Sequence, residues 1–208
     1  MTSIYGGHEE VQSPNIYHDK IFDIGAVKIL PGEYYVTKRD LALVTVLGSC
    51  VAACIRDRMS GMGGMNHFML PGDSGQHGSA ADLSSPLAHY GTYAMEKMIN
   101  DLLKMGAKRN NLQAKLFGGG NVMPGFTVNN VGERNAEFAI NYLRTEQIEV
   151  LAQDMLDIYP RKVYFFPNSG KVLVKKLRSV HNNTIVEREQ QYRSRIAVSN
   201  ANSTVDLF

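Results

Sequence analysis

The sequence lacks the features that mark several common classes of protein. Its 208 residues include only two cysteines, too few for a disulfide framework, so we expect a reducing compartment such as the cytoplasm. No hydrophobic stretch approaches the roughly 20 residues that a membrane-spanning helix needs, and residues 1–30 lack the apolar core of a signal peptide. The formal net charge of +2 gives no electrostatic footprint for nucleic acid. We therefore expect a cytoplasmic protein with neither nucleic-acid partners nor membrane insertion.

What the chain does contain is enough apolar sequence for one sizeable core. Hydrophobic residues make up 44% of it, and its length is typical of a single domain. We expect that domain to cover residues 21–180. Residues 1–20 are polar and predict a flexible N-terminal extension, and the polar stretch 181–208 predicts a disordered C-terminal tail.

Hydrophobic periodicity predicts a mixed α/β fold. Segments rich in β-branched and apolar residues predict strands near 24–30, 43–47, 50–56, 63–69 and 113–117, and a hairpin of 161–166 with 171–177. Ser85-Pro86 and Gly106 mark the ends of the clearest helix, and a second helix is predicted from about Gly132 to Thr145. We expect a mixed, largely antiparallel, sandwich-like β core with two main helices packed outside it.

Cys50 is the residue whose neighbours in the sequence most clearly indicate a catalytic function. It follows Gly48-Ser49, a pair typical of a tight turn, and His67 lies 17 residues further on. A thiolate is a strong nucleophile, and a nearby imidazole can take up its proton and stabilise its charge. Simple packing is the alternative, since free cysteines are among the most buried residue types. Cys54, within an apolar run, fits that second description.

A predicted hairpin brings the thiol and the imidazole to one face. The turn after Asp57 favours a register in which Asp57 pairs with Met62, which places Ala52 opposite His67. Cys50 shares the face of Ala52, so His67 lies diagonally across from it, with Cα atoms about 7–8 Å apart. A slip of one residue would turn His67 to the other face.

Several motifs together resemble the chemoreceptor glutamine deamidases called CheD. They are Leu-Gly-Ser-Cys-Val-Ala at 47–52, His-Phe-Met-Leu-Pro at 67–71, Lys-Leu-Phe-Gly-Gly-Gly at 115–120, Val-Gly-Glu-Arg-Asn at 131–135, and Arg-Lys-Val-Tyr-Phe at 161–165 followed by Gly-Lys-Val at 170–172. The resemblance covers roughly residues 24–178, in the family's order. Several motifs in register make a far more specific match than one alone.

The resemblance implies a cysteine hydrolase that converts glutamine side chains of methyl-accepting chemotaxis receptors to glutamate and releases ammonia. Cys50 would be the nucleophile, His67 the general base and later the general acid, and Thr45 the residue that orients the imidazole. Thr45 also suits a plain β-branched strand position. Turn donors around Ser49 and Gly48 are candidates for holding the oxyanion, although Ser49 can equally bond its own backbone. No cofactor or metal is implied.

Other functions stay open. The chain can be a non-catalytic docking module that binds receptors or a CheC-type phosphatase, as some relatives do, or a hydrolase whose main substrate is the receptor methyl ester. It can also be a redox protein using Cys50 and Cys54, but four residues of strand separate their Cα atoms by about 13 Å, too far for a disulfide without rearrangement. His77, in the Gly/Ser-rich loop 73–85, is a rival base.

Three further segments each allow a structural prediction that bears on the site. Gly118-Gly119-Gly120 lacks the lysine and hydroxyl residue of a P-loop and predicts a tight connection beside the active site. The group 133–135 forms either a polar wall of the substrate cleft or the capped start of a helix. Residues 154–160 are bulky where the family has a glycine-rich loop, which predicts a different backbone path because positive φ is costly without glycine.

Overall fold

The computed structural model describes residues 14–70, 86–122 and 131–178, together with residues 187–188, 190–192 and 194–195 near the C terminus. His77 and its loop lie outside the described residues, as do residues 1–13 and most of 181–208.

The described strands form two five-stranded sheets. The outer sheet contains, in spatial order, β1 (Asn15–Asp19), β2 (Ile24–Lys28), β4 (Ala42–Leu47), β9 (Arg161–Phe166) and β10 (Lys171–Lys176). The middle sheet contains β3 (Tyr34–Thr37), β6 (Gly63–Asn66), β5 (Val51–Asp57), β7 (Leu112–Gly118) and β8 (Glu149–Met155). The pairings of β2 with β4 and of β7 with β8 are parallel. The other strand pairs are antiparallel.

Two helices, α1 (Pro86–Lys104) and α2 (Val131–Thr145), pack on one face of the middle sheet. The other face of that sheet packs on the outer sheet. Strand side chains alternate, so β5 presents Val51 and Ile55 to the helices and Ala52 and Cys54 to the outer sheet. The mixed sandwich-like fold with helices outside is therefore confirmed. Within the described ranges, no helix has the length and apolar character needed to cross a membrane.

All the predicted strands and both helices are present, but three strands were missed. These are β1, β3 and β8, and each lies at or next to an open edge of its sheet. An edge strand buries less side-chain surface, so its hydrophobic pattern is weak, as the exposed positions of β1 and β8 show. Strand β1 also falls inside residues 1–20, which we expected to be flexible, and it pairs with β2 along its whole length.

Part of the predicted C-terminal tail is folded against the domain. The described residues between 187 and 195 have helical backbone, and Tyr192 is only 6% exposed within the core between the two sheets. A mostly polar composition predicted disorder here, because an average over the stretch conceals the burial of one aromatic ring.

Candidate active site

Cys50 lies where the chain passes from the outer sheet to the middle sheet. Strand β4 ends at Leu47, Gly48 and Ser49 form the connection, and β5 begins at Val51. This crossing places the Cys50 side chain at the core between the sheets, where it is 0% exposed.

The hairpin has the predicted register. The backbone N–H of Asp57 donates to the carbonyl of Met62 at 2.8 Å, and Val51 and Phe68 exchange two backbone hydrogen bonds of 3.0 and 2.9 Å. Residues 54 and 65 pair in the same register. His67 therefore lies opposite Ala52 and faces the outer sheet, as predicted.

Thr45 meets His67 across the gap between the sheets. Its Oγ1 atom lies 2.8 Å from Nδ1 of His67 and donates a hydrogen bond of 2.7 Å to the carbonyl of Ile29. Thr45 shares the inward face of β4 with Leu43 and Leu47, since positions 43, 45 and 47 alternate with outward ones. The structure thus brings together two of the residues named from the sequence.

These two hydrogen bonds determine the protonation of the imidazole. A threonine hydroxyl has one hydrogen, and Thr45 gives it to Ile29. Thr45 Oγ1 must then accept from His67, so Nδ1 carries the proton and Nε2 keeps a lone pair. Among the described residues, Nε2 has no hydrogen-bond partner. An unshared basic nitrogen is the form of histidine that general-base catalysis requires.

Burial keeps His67 neutral. The side chain is 2% exposed, and this desolvation lowers the pKa of His67 to about 3, although the Ile29 carbonyl opposes the shift. At neutral pH the imidazole is therefore a base and not a cation.

The connection before β5 is fixed by three carbonyl contacts. The backbone N–H groups of Gly120 and Gly119 donate to the carbonyls of Gly48 and Cys50, each at 2.8 Å, and Nδ2 of Asn135 donates to the carbonyl of Ser49, also at 2.8 Å. The three successive carbonyls of residues 48–50 are thus all bonded. The predicted tight connection beside the site is confirmed.

Asn135 links the two sides of the hairpin at the site. This side chain of α2 is completely buried, and its Oδ1 accepts a 2.8 Å hydrogen bond from the backbone N–H of Leu70. It therefore ties the residue before Cys50 to the segment that follows His67. Sequence reasoning proposed a cleft wall or a helix cap; the side chain is instead an internal bridge.

A cavity of about 380 Å³ lies beside His67. Its lining includes His67, Thr45 and Pro31 with three basic residues, Lys28, Lys162 and Arg188. Arg188 belongs to the C-terminal stretch and, like Tyr192, was not a candidate from the sequence, because nothing in the local pattern indicates that this stretch returns to the site.

Cys54 is placed differently from Cys50. It lies in the middle of β5, almost fully buried, and desolvation raises the pKa of its thiol strongly. Both cysteines are thiols. These properties suit Cys54 to a packing role.

Within the described residues, no three His, Cys, Asp or Glu side chains are grouped to hold a metal ion.

The chain is similar to chemotaxis proteins over almost its whole length. A family profile described as CheD chemotactic sensory transduction matches residues 69–176. A protein of Methylobacillus flagellatus named "Probable chemoreceptor glutamine deamidase CheD" is 58% identical over 203 residues, which cover 96% of this chain and 98% of that protein. Proteins of the same name from Janthinobacterium sp. (strain Marseille) and Herminiimonas arsenicoxydans are 59% and 60% identical, each covering 93% of this chain and 94% of the relative.

Proposed function

Because this chain belongs to the CheD family, we propose that it hydrolyses the side-chain amide of specific glutamines in chemoreceptors, giving glutamate and ammonia. One observation carries the chemical part of the proposal. The Thr45 hydrogen bond leaves Nε2 of His67 unprotonated, on the face of the hairpin that also carries Cys50.

The proposed reaction has two halves. In the first, Nε2 of His67 takes the thiol proton of Cys50 and Sγ attacks the amide carbon. The carbon–nitrogen bond then breaks as the imidazolium returns the proton to the leaving nitrogen, and ammonia departs from a thioester. In the second half, Nε2 deprotonates a water that attacks the thioester. The carbon–sulfur bond breaks, Sγ recovers a proton, and the product is glutamate.

The carbonyl contacts of residues 48–50 support a backbone oxyanion site. In a trans peptide the N–H points away from the preceding carbonyl. The carbonyls of Gly48 and Ser49 point to the glycine turn and to Asn135, so the N–H groups of Ser49 and Cys50 point the opposite way. We assign these two N–H groups, with the Ser49 hydroxyl, as donors to the oxyanion, a type of interaction that supplies a large part of many rate enhancements.

The first test is mass spectrometry of a receptor cytoplasmic domain after incubation with this protein. Wild type should convert particular glutamines to glutamate, and Cys50→Ala should convert none. His67→Ala should be slower by about 10²–10⁴-fold, the usual contribution of a general base. Thr45→Val should be slower by about 10–100-fold, a range typical of residues that orient a functional imidazole, whereas Thr45→Ser keeps the hydroxyl and should retain most activity.

Other results would point to the other functions. Receptor binding without conversion, unchanged by Cys50→Ala, would favour a docking module. Methanol release from a methylated receptor at a higher rate than ammonia release would make the methyl ester the main substrate. Equal activities of Thr45→Val and Thr45→Ser would remove Thr45 from the site.

We also propose that the protein acts in the cytoplasm, since the substrate is the cytoplasmic part of a receptor and both cysteines are thiols. Binding of a CheC-type phosphatase stays a prediction from the family resemblance. Co-purification of the two proteins would test it.

A further inference from the structure

The active site is closed in this structure. The side chain of Cys50 is 0% exposed and that of His67 is 2% exposed. A glutamine on another protein can reach neither of them unless part of the chain moves aside. The covering group must therefore be identified among the residues packed on Cys50.

Besides Tyr90 of α1 and Val131 of α2, the described residue that covers this core from outside the two sheets is Tyr192. It belongs to the same core cluster as Cys50, and Cys50 is near enough to contribute, after burial and Tyr90, to the raised pKa of the Tyr192 hydroxyl. The Tyr192 hydroxyl lies 2.6 Å from that of Tyr90 on α1. Its ring lies over Gly32, where a Cβ atom would be 2.7 Å from the ring.

The contact with Gly32 links the ring to the catalytic histidine. The backbone N–H of Gly32 donates to the carbonyl of His67 at 2.7 Å. A side chain on Gly32 would exclude the Tyr192 ring, so this glycine leaves space for an aromatic group directly beside the site.

A second residue of the same helical stretch reaches the site from the other side. Arg188 lines the cavity that Thr45 and His67 also line. Residues 188 and 192 are four apart, and such residues share one face of a helix. The same face of the stretch therefore contacts the cavity through Arg188 and the core around the Cys50 thiol through Tyr192.

The described residues of the covering stretch bury one side chain. Tyr192 is buried, and the other described residues between 187 and 195 are exposed. Among these residues the Tyr192 ring therefore anchors the stretch on the core, and a substrate side chain that fills the same space can displace it.

We propose that the described residues between 187 and 195, the C-terminal segment, act as an internal competitor: they occupy the surface on which the glutamine-bearing segment of the substrate docks, and they must leave before Cys50 can react. The inference rests on the proposed function for the identity of the substrate. The closure of the thiol by the segment is independent of it and can be measured separately.

The test measures the rate at which iodoacetamide alkylates Cys50 in the full-length protein, read by peptide mass spectrometry. Tyr192→Ala should raise the rate about 10–100-fold, because reactivity follows the fraction of molecules whose site is open. Tyr192→Phe keeps the ring and should give a smaller rise. Tyr93→Ala removes an exposed tyrosine of α1 and should leave the rate unchanged.

Cys54 is the internal control for folding. It lies four residues beyond Cys50 within β5, about 13 Å further along the strand, so it should stay unlabelled when the segment alone leaves. Labelling of both cysteines at equal rates in Tyr192→Ala would overturn the proposal, because the segment would then separate only when the core unfolds. An unchanged Cys50 rate would overturn it as well.

A peptide with the sequence of residues 187–195 supplies the converse experiment. Added to Tyr192→Ala, it should slow Cys50 labelling and receptor deamidation, and a peptide with alanine in place of the tyrosine should do neither. In deamidation assays Tyr192→Ala should lower KM with little change in kcat, as expected when a competitor of the substrate is removed.

The failures of the two proposals are distinguishable. If Tyr192→Ala accelerates Cys50 labelling but no variant deamidates a receptor, the proposed function fails while the closure stands. If wild type deamidates receptors and Tyr192→Ala changes neither labelling nor KM, the function stands and the competitor is overturned.

Discussion

At the scale of single residues, the site depends on one hydroxyl hydrogen. Thr45 gives it to Ile29 and must then accept from His67, so Thr45 selects which imidazole nitrogen is basic. Burial adds a second effect by lowering the pKa of His67. An imidazole that is neutral and correctly oriented before substrate arrives needs no proton loss to act as a base.

The lowered pKa of His67 predicts a pH-dependent stability. Its pKa is about 3 in the folded protein and about 6.5 in the unfolded chain, so the unfolded state binds the extra proton between these values. The free energy of unfolding should therefore be fully retained above pH 6.5 and fall by about 1.4 kcal/mol per pH unit below it.

The matched variant is His67→Asn, which keeps an N–H donor for Thr45 but does not titrate. Urea unfolding from pH 4.5 to 8 should show the two proteins with parallel stabilities above pH 7 and diverging stabilities below pH 6. Carboxylates titrate equally in both, so parallel curves over the whole range would contradict a buried neutral His67.

At the scale of elements, the turn after β7 supports the turn that carries the thiol. Gly118 has φ of 112°, and a Cβ atom there would lie 2.1 Å from the carbonyl oxygen of Cys50. The two turns approach this closely because no side chain separates them, and the resulting hydrogen bonds fix the direction of the connection before β5.

Replacement of Gly118 by alanine tests this support. Gly106 provides a matched control, because its φ is 105° but a Cβ atom there has its nearest contact at 3.8 Å. Gly106→Ala should cost about 1–2 kcal/mol from backbone strain alone. Gly118→Ala should cost about 2–5 kcal/mol, since a steric clash is added, and should also slow Cys50 alkylation. Equal losses of stability and reactivity in both variants would contradict the close-approach argument.

The segment before β9 departs from the sequence-based expectation. Bulky residues were expected to avoid positive φ, yet Leu156 and Asp157 have φ of 64° and 73°. Arg161, which is fully buried, bonds the carbonyls of Asp154 and Leu156, and the N–H of Leu156 donates to Gly118. Tertiary contacts therefore hold a backbone conformation that local preference disfavours.

At the scale of the whole molecule, the site lies between the central strands of the two sheets. Strand β4 has neighbours on both sides in the outer sheet, and β5 has neighbours on both sides in the middle sheet. The connection with Cys50 joins them. The connection with Cys50 is thus held by the central strands, and His67 follows β6, the neighbour of β5, whereas Tyr192 packs on this core from outside the sheets.

This arrangement predicts a pattern of amide hydrogen exchange. Peptides from β4 and β5 should exchange last, through opening of the whole fold, and edge strands β1 and β3 should exchange earlier through local opening. Exchange measured by mass spectrometry would check this. If β5 exchanged as early as β3, the site would not be held by the most stable part of the molecule.

The class of fold, the family and the hairpin register that brings His67 to the face of Cys50 were predictable from the sequence. These follow from local signals, namely the alternation of apolar and polar residues along a strand, the residues typical of turns, and short sequence motifs. Three of the four edge strands, β1, β3 and β8, were missed because they bury too little side-chain surface to leave a pattern, whereas β10 was predicted from its hairpin with β9. The contact of Thr45 with His67, the bridging role of Asn135 and the return of Tyr192 to the thiol became apparent from the packing of the sheets. Each of these joins residues that are distant along the chain, and such contacts depend on how the sheets pack and not on local preference.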